Sequence, residues 1–408
     1  MRLAAILIDK INMQESDWIE AKAAMALLGV RRQTLYAYVS RGLLRVSRDP
    51  ARKGRSLYHH QDLRDLAQAH ARPRARAEVA AKAIDWGEPL LTSSISQVVD
   101  GELYFGALSA RLCAEKMTLE DMAAHHWRCD RLPPAAALLL RNGDNLGQPI
   151  ERAMVFLAQA MGESRPLAQG PREVHLAEAM ALLAGLLRAF VGDQGGGAVH
   201  EQLARAWRLG PEGAEGLRRA LVLLSDHELN PSTFALRVCA STGAGLAASV
   251  LAALATLSGP KHGGVAALAR RALRAAMKGE AALEAFLQEH QGLSPYGFGF
   301  SHPLYPKGDP RAQALLASGY GAGPAGAALA LMARHLGEPP NIDGALAVLG
   351  ERHDLPEEAA FILFCLGRFT GWVAHALEQS ASGQIIRPRA RYVKAPAAKP
   401  QDLRPRGG

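Results

Sequence analysis

A chain of 408 residues is long enough for two or three domains and a sizeable core. Hydrophobic residues make 49%, charged residues 21% and aromatics 6%, with Ala and Leu dominant, which favours a mostly helical soluble protein and excludes a small stapled module. Cys113, Cys129, Cys239 and Cys365 lie far apart without CxxC spacing, so buried free thiols are expected rather than a disulfide framework or a metal site. "MRLAAILIDK" is too short for a signal peptide, and "AGLAASVLAALATL" falls short of the ~18 apolar residues of a membrane span. No membrane association and a cytoplasmic location are therefore expected.

The formal charge of +8 is unevenly placed: residues 1–85 hold 16 Lys and Arg against 9 Asp and Glu, a net of +7. There "WIEAKAAMALLGVRRQTLYAYVS" reads as an amphipathic helix ending at Gly29, a tight turn, and a second helix from about Arg31 to Ser40. Arg31, Arg32, Gln33, Thr34, Tyr38 and Arg41 are types that hydrogen-bond bases or phosphates, and "RVSRDPARKGRSLY" could form a wing beside double-stranded DNA. Over residues 18–67 the pattern resembles the helix-turn-helix of the MerR and excisionase group. The bland alternative is a solvated basic appendage used for oligomer contacts. "ARPRARAEVAAKAIDWGEPLL" then reads as a linker, which places a boundary near Ala75.

Further along, "LLSDHELNPSTFALRVCAST" sets His227 in a polar knot within an apolar region. "SGPKHGGVAALARRALRAAMK" puts His262 between a proline turn and two glycines at the start of a helix, where the partial positive charge keeps an imidazole neutral and able to donate to a developing oxyanion. "YGFGFSHPLYPKGDPRAQALL" carries His302 in a Gly/Pro-rich loop and Arg311 at a helix start, and "PPNIDGALAVL" places Asp343 where its bland role is an N-cap.

In this order the segments resemble the citrate synthase family, whose hallmarks are DHELN-like, GP-x-HGG, GFGH…DPRA and N-V/I-D motifs. "WGEPLLTSSISQVVDGELYFG" and "LFCLGRFTGWVAHALEQSASGQIIRPRARYV" are similar to the family's entry and closure, so the resemblance spans residues 86–396. It implies an all-α fold, with large and small citrate synthase-like domains preceded by a small winged helix-turn-helix domain. The expected divisions are 1–75, then 76–262 and 353–408 as parts of the large domain, and 263–352 as a small domain closing over substrate.

The resemblance also implies an acyltransferase of the tricarboxylic acid cycle, joining the methyl carbon of acetyl-CoA to the ketone carbon of oxaloacetate without a cofactor. Asp343 is then the base, His262 the donor to the thioester oxygen, and His302 the group polarising the ketone. Arg311, Arg368 and Arg387 would bind carboxylates with His227 as a further donor, and Arg387 would come from the other subunit of a homodimer. Lys307, and Arg270 with Arg271, could meet CoA phosphates on grounds of charge. The chain departs from the family's pattern at Ser301, Pro303 and Gly245, in "GVA" and "YFG", and in lacking a serine after Asp343. Two alternatives stay open: 2-methylcitrate synthesis from propionyl-CoA, and a DNA-binding regulator whose body senses CoA esters or di- and tricarboxylates.

Overall fold

The structure, a computed structural model, describes residues 18–30, 32–40, 43–49, 55–63, 91–136 and 147–388. Two compact units divide at Thr92/Ser93, whereas the sequence places a boundary near Ala75, among residues outside those described.

In the first unit, strand β1 (Trp18–Glu20) leads into helix α1 (Ala21–Leu28), then α2 (Arg32–Ser40), and strands β2 (Val46–Arg48) and β3 (Ser56–His59). The antiparallel sheet runs in the order β1-β3-β2, with Val46 opposite Tyr58. Ala24 and Leu28, one turn apart on α1, meet Leu35 of α2 together with Leu44, Tyr58 and Leu63 in a small core. Gly29 closes α1 in the left-handed region, at φ 62°, its N–H bonded to Met25 O. Arg45 clamps Asp62 through its backbone N–H and guanidinium, which holds that carboxyl well below the usual range.

The second unit opens with a small antiparallel sheet, β4 (Ser96–Val99), β5 (Glu102–Phe105) and β6 (Leu108–Ser109). Helices dominate as expected, and among the described residues each unit adds one small three-stranded sheet. Helices α3 (Ala110–Lys116), α4 (Leu119–His126), α5 (Pro149–Ala160), α6 (Arg172–Val191), α7 (Val199–Ala206), α8 (Pro211–Leu223), α9 (Pro231–Ser241) and α10 (Leu246–Leu257) follow. After them come α11 (Val265–Met277), α12 (Glu280–Glu289), α13 (Pro310–Leu315), α14 (Gly323–Leu336), α15 (Ile342–Arg352) and α16 (Ala359–Ser382).

α16 is buried on nearly every side because it is the central post of the unit, packed by α4, α6, α8, α9 and α10. Both α6 and α16 are long and apolar enough to cross a membrane, longer than the run singled out from the sequence, yet 61% and 89% of their apolar windows are buried inside the fold. α11 is amphipathic and lays Val265, Ala269, Ala272, Leu273 and Ala276 against α15, α14 and α12, so residues 265–352 pack largely on one another.

A seam joins two segments of this group. Asn341 N–H donates to Gly299 O (2.9 Å) and Ser301 N–H to Pro339 O (2.8 Å), while Asn341 Nδ2 donates to Ser301 O (3.0 Å). Gly299, at φ 84°, lies so close to Gly344 that a Cβ added to Gly344 would stand 2.6 Å from Gly299 O. Gly344→Ala must push the seam open, with an expected loss of about 1–3 kcal/mol read as a lower urea midpoint; an unchanged midpoint contradicts the close approach.

Candidate active site

His262 lies in the turn between α10 and α11. Its N–H donates to Gly259 O and that of Gly263 to Leu257 O, each at 2.9 Å, and a Cβ on Gly263 would sit 2.5 Å from the Leu257 carbonyl. Glycine is required there by the closeness of the backbones. His262 Nε2 shares a 3.1 Å hydrogen bond with Ser232 Oγ, in the first turn of α9. Burial, then the positive charge of Arg368, pushes the imidazole down to about 4, so the ring is neutral at pH 7. The sequence argument assigned this neutrality to the helix terminus, but desolvation is the larger cause.

Opposite stands a second aromatic group. His227 and His302 meet edge to face with centroids 5.1 Å apart, and Tyr305 lies 4.9 Å from His302 while its hydroxyl shares a 2.8 Å hydrogen bond with His227 Nε2. Leu304 N–H donates to His302 Nδ1 (3.2 Å), so the neutral ring carries its proton on Nε2, the donor that carbonyl polarisation requires. Burial and Arg311 push His302 down to about 4 against the opposing effect of Asp309, and burial with Arg311 drives His227 well below its ordinary value.

Two buried guanidinium groups supply positive charge. Arg311 is held by Asp309 through Nε (3.0 Å) and Nη2 (2.8 Å), and its guanidinium stands 5.6 Å from the centre of the Tyr305 ring. Arg368, on the central helix, donates from Nε to Leu224 O (2.9 Å); burial lowers it to about 10 despite Asp226, and Arg311 adds to that fall. Asp226 accepts from Ser96 Oγ (2.5 Å) and shares a 3.3 Å hydrogen bond with His375. Burial opposes its ionisation, but His375, Arg368 and His126 outweigh that and hold it at about 2. Two buried cations beside neutral imidazoles suit a small dianion.

Asp343 occupies the first turn of α15, where Asn341 takes the capping role instead by accepting the Asp343 N–H through Oδ1 (2.9 Å). Asp343 Oδ1 is buried without a protein hydrogen bond. Burial raises the carboxyl to about 7; Asp309 adds to the rise, while Arg311 and the Asp343 N–H oppose it. A carboxylate with a spare oxygen and an affinity for protons near neutrality is equipped to act as a general base. Tyr296 stands near it, its hydroxyl pushed up to about 12 by burial first and by Asp343 next.

His227, His262, His302, Arg311, Arg368 and Asp343 are thus linked by contact or by charge. Arg387 is exposed beyond α16, and Lys307 is exposed on the loop before α13. Arg270 corrects the expectation that it meets CoA phosphates: it is buried, and it braces Glu351, Leu355 O (2.7 Å), Pro356 O (2.9 Å) and Gly350 O (3.0 Å). Of the residues expected at DNA, Arg32 and Gln33 are exposed on α2 and Thr34 and Tyr38 half-buried; Arg31 and Arg41 lie outside the described residues. Sequence reasoning passed over Ser232, Tyr296, Tyr305 and Asp309. The last three lie inside the stretch that drew attention to His302 and Arg311.

The model of the citrate synthase C-terminal domain matches residues 152–389. The chain is 34% identical over 189 residues to citrate synthase of Haloferax volcanii, 44% of this chain and 50% of that protein. It is likewise 34% identical over 184 residues to 2-methylcitrate synthase of Shewanella oneidensis, 43% of this chain and 49% of that one. The chain therefore spans about half the length of the curated relatives it matches. Citrate synthase of Thermotoga maritima shares the fold with a TM-score of 0.61 at 24% identity, covering 77% of this chain and 95% of that one. A Thermoplasma acidophilum citrate synthase, solved as a ternary complex with carboxymethyl coenzyme A and oxaloacetate, does so with a TM-score of 0.61 at 22% identity, covering 77% and 96%. With more than half its length matched by that domain model, the chain belongs to the citrate synthase family.

Proposed function

We propose that the protein condenses acetyl-CoA with oxaloacetate to give citrate and CoA, and that the unpartnered, base-like carboxyl of Asp343 is the feature that carries this reading. The carboxylate takes a proton from the thioester methyl group while His262 donates a hydrogen bond to the thioester oxygen. The enol carbon then attacks the ketone carbon of oxaloacetate. His302, protonated on Nε2, polarises that ketone and supplies a proton to the alkoxide as the carbon–carbon bond forms. Water hydrolyses the resulting citryl thioester and releases CoA. Arg311 and Arg368, with His227, would hold the two carboxylates of oxaloacetate in attack geometry, and residues 263–352 would close over both substrates.

A propionyl-CoA reaction is the second reading, favoured by the similarity to 2-methylcitrate synthase. One methylene is worth only about 1–3 kcal/mol in a pocket, so rates with both thioesters decide it. A homodimer is supported by the half-buried faces of Phe234, Val238 and Cys239 on α9 and Ala248, Leu251 and Ala252 on α10. Ile386 N–H, donating to Ser241 Oγ at 3.0 Å, anchors the exposed Arg387 beside α9, the side from which it would reach a partner's cleft. The four cysteines are free, as suits a reducing cytoplasm.

For residues 1–75 we propose a winged helix-turn-helix that binds double-stranded DNA. The support is the α1–Gly29–α2 arrangement, the β2–β3 hairpin and the basic charge. Among the described residues Arg32 and Gln33 stand exposed on α2 for that purpose.

Three outcomes test these readings. Thiol release from acetyl-CoA and propionyl-CoA with oxaloacetate should fall by about 10²–10⁴-fold in Asp343→Ala; equal rates in variant and wild type sink the assigned base. Because the raised carboxyl must lose its proton to act, kcat/KM should climb as pH rises through about 7 and level off above it. DNA affinity should weaken steeply between low and high salt, and binding indifferent to salt rules out phosphate neutralisation by the first unit.

A further inference from the structure

Asp309 is wholly buried, and its four acceptor positions are all taken. Oδ1 accepts the Arg311 backbone N–H and its Nε–H, both at 3.0 Å. Oδ2 accepts Arg311 Nη2–H at 2.8 Å and the N–H of Ile342 at 3.0 Å. Ile342 is the first residue of α15, and Asp343 is the next. One carboxylate therefore grips the guanidinium of one element and the leading turn of another.

We infer that Asp309 is a positioning residue joining the carboxylate clamp to the base, so that the placement of Arg311 and of Asp343 is fixed by a single side chain. The inference rests on the condensation reading for its kinetic consequences, but not for its structural one. Asp309 takes no part in proton transfer: burial works against its charge, yet Arg311 keeps the carboxyl below its ordinary value, and no lone pair is left over. Its effect on Asp343 is geometric through Ile342 and electrostatic through its charge, which favours protonated Asp343 while Arg311 favours the ionised form.

The groups around Asp343 set the sign. Asp309, at the cap of α13, and Arg311 within that helix act on Asp343, which in turn raises the Tyr296 hydroxyl. His302, in the intervening loop, feels Arg311 and Asp309, and Arg368 of α16 acts on Tyr296. From α11, Arg270 engages the far end of α15 at Gly350 and Glu351. Removing the Asp309 charge takes away a like charge and releases Arg311 from its counter-ion. Both changes favour ionised Asp343.

The test is the titration of Asp343 in ligand-free protein carrying 13C-labelled aspartate carboxyls, with its signal assigned by its loss in Asp343→Asn. Asp309→Asn should lower the midpoint by about one pH unit or more. Arg311→Met, which keeps Asp309 and removes the cation, should raise it. In turnover, Asp309→Asn should raise KM for oxaloacetate by about tenfold or more and shift the acid limb of the rate profile downward, which a generalised loss of packing does not do. Asp343 midpoints that match wild type in Asp309→Asn and Arg311→Met, with circular dichroism intact, overturn the inference. An inactive wild type whose Asp343 midpoint still responds overturns the condensation reading instead. If Asp309→Asn fails to fold, Asp309→Glu, which keeps the charge but moves its oxygens, decides: a shifted Asp343 midpoint supports the inference and an unchanged one overturns it.

Discussion

The site depends on the seam in which the loop of Gly299 and Ser301 is laced to the cap of α15. Three hydrogen bonds cross it, and two glycines make the approach close enough for them to form. His302 leaves one side of the seam and Asp343 the other, so their separation is set by backbone rather than by flexible side chains. Reacting groups must be held to within a fraction of an ångström, and a backbone lacing is stiffer than any rotamer.

Around the seam, burial does most of the electrostatic work. It turns three histidines into neutral donors or acceptors and keeps one carboxyl poised to take a proton, while Arg311 and Arg368 remain cationic in the same space. The two arginines are stabilised by different means: Arg311 has the full carboxylate of Asp309, whereas Arg368 has a carbonyl and the more distant Asp226. An incoming dianion thus finds one cation already neutralised and another still short of negative charge. Arg368 has the larger electrostatic incentive to bind it.

Much of this was legible in the sequence because each reactive group sits in a short, distinctive segment. Alone, His262 reads as a structural histidine and Asp343 as an N-cap; they were singled out by the order of their segments with that of His302 and Arg311, and by the resemblance this order carries. Asp309 was not, since its role appears only when Ile342, 33 positions away, comes back to meet it. Ser232 was hidden in the same way, 30 positions from His262. Arg270 misled because charge suggests solvent, and nothing local reveals that the α11 face on which it lies is closed over by the end of α15. The β4–β6 strands escaped the all-helical expectation because strands of two to four residues leave too short an alternation to read. α16 drew no notice as a long apolar helix because Gly367, Arg368 and Gly371 interrupt its apolar run, although all three are buried.

Ser301 occupies the left-handed region at φ 63°, a conformation that costs a residue with a side chain roughly 1–2 kcal/mol. The resembled family usually has glycine at this position. The lacing beside His302 therefore holds Ser301 in a torsion that a residue with a side chain seldom adopts, and part of what those hydrogen bonds contribute offsets that cost.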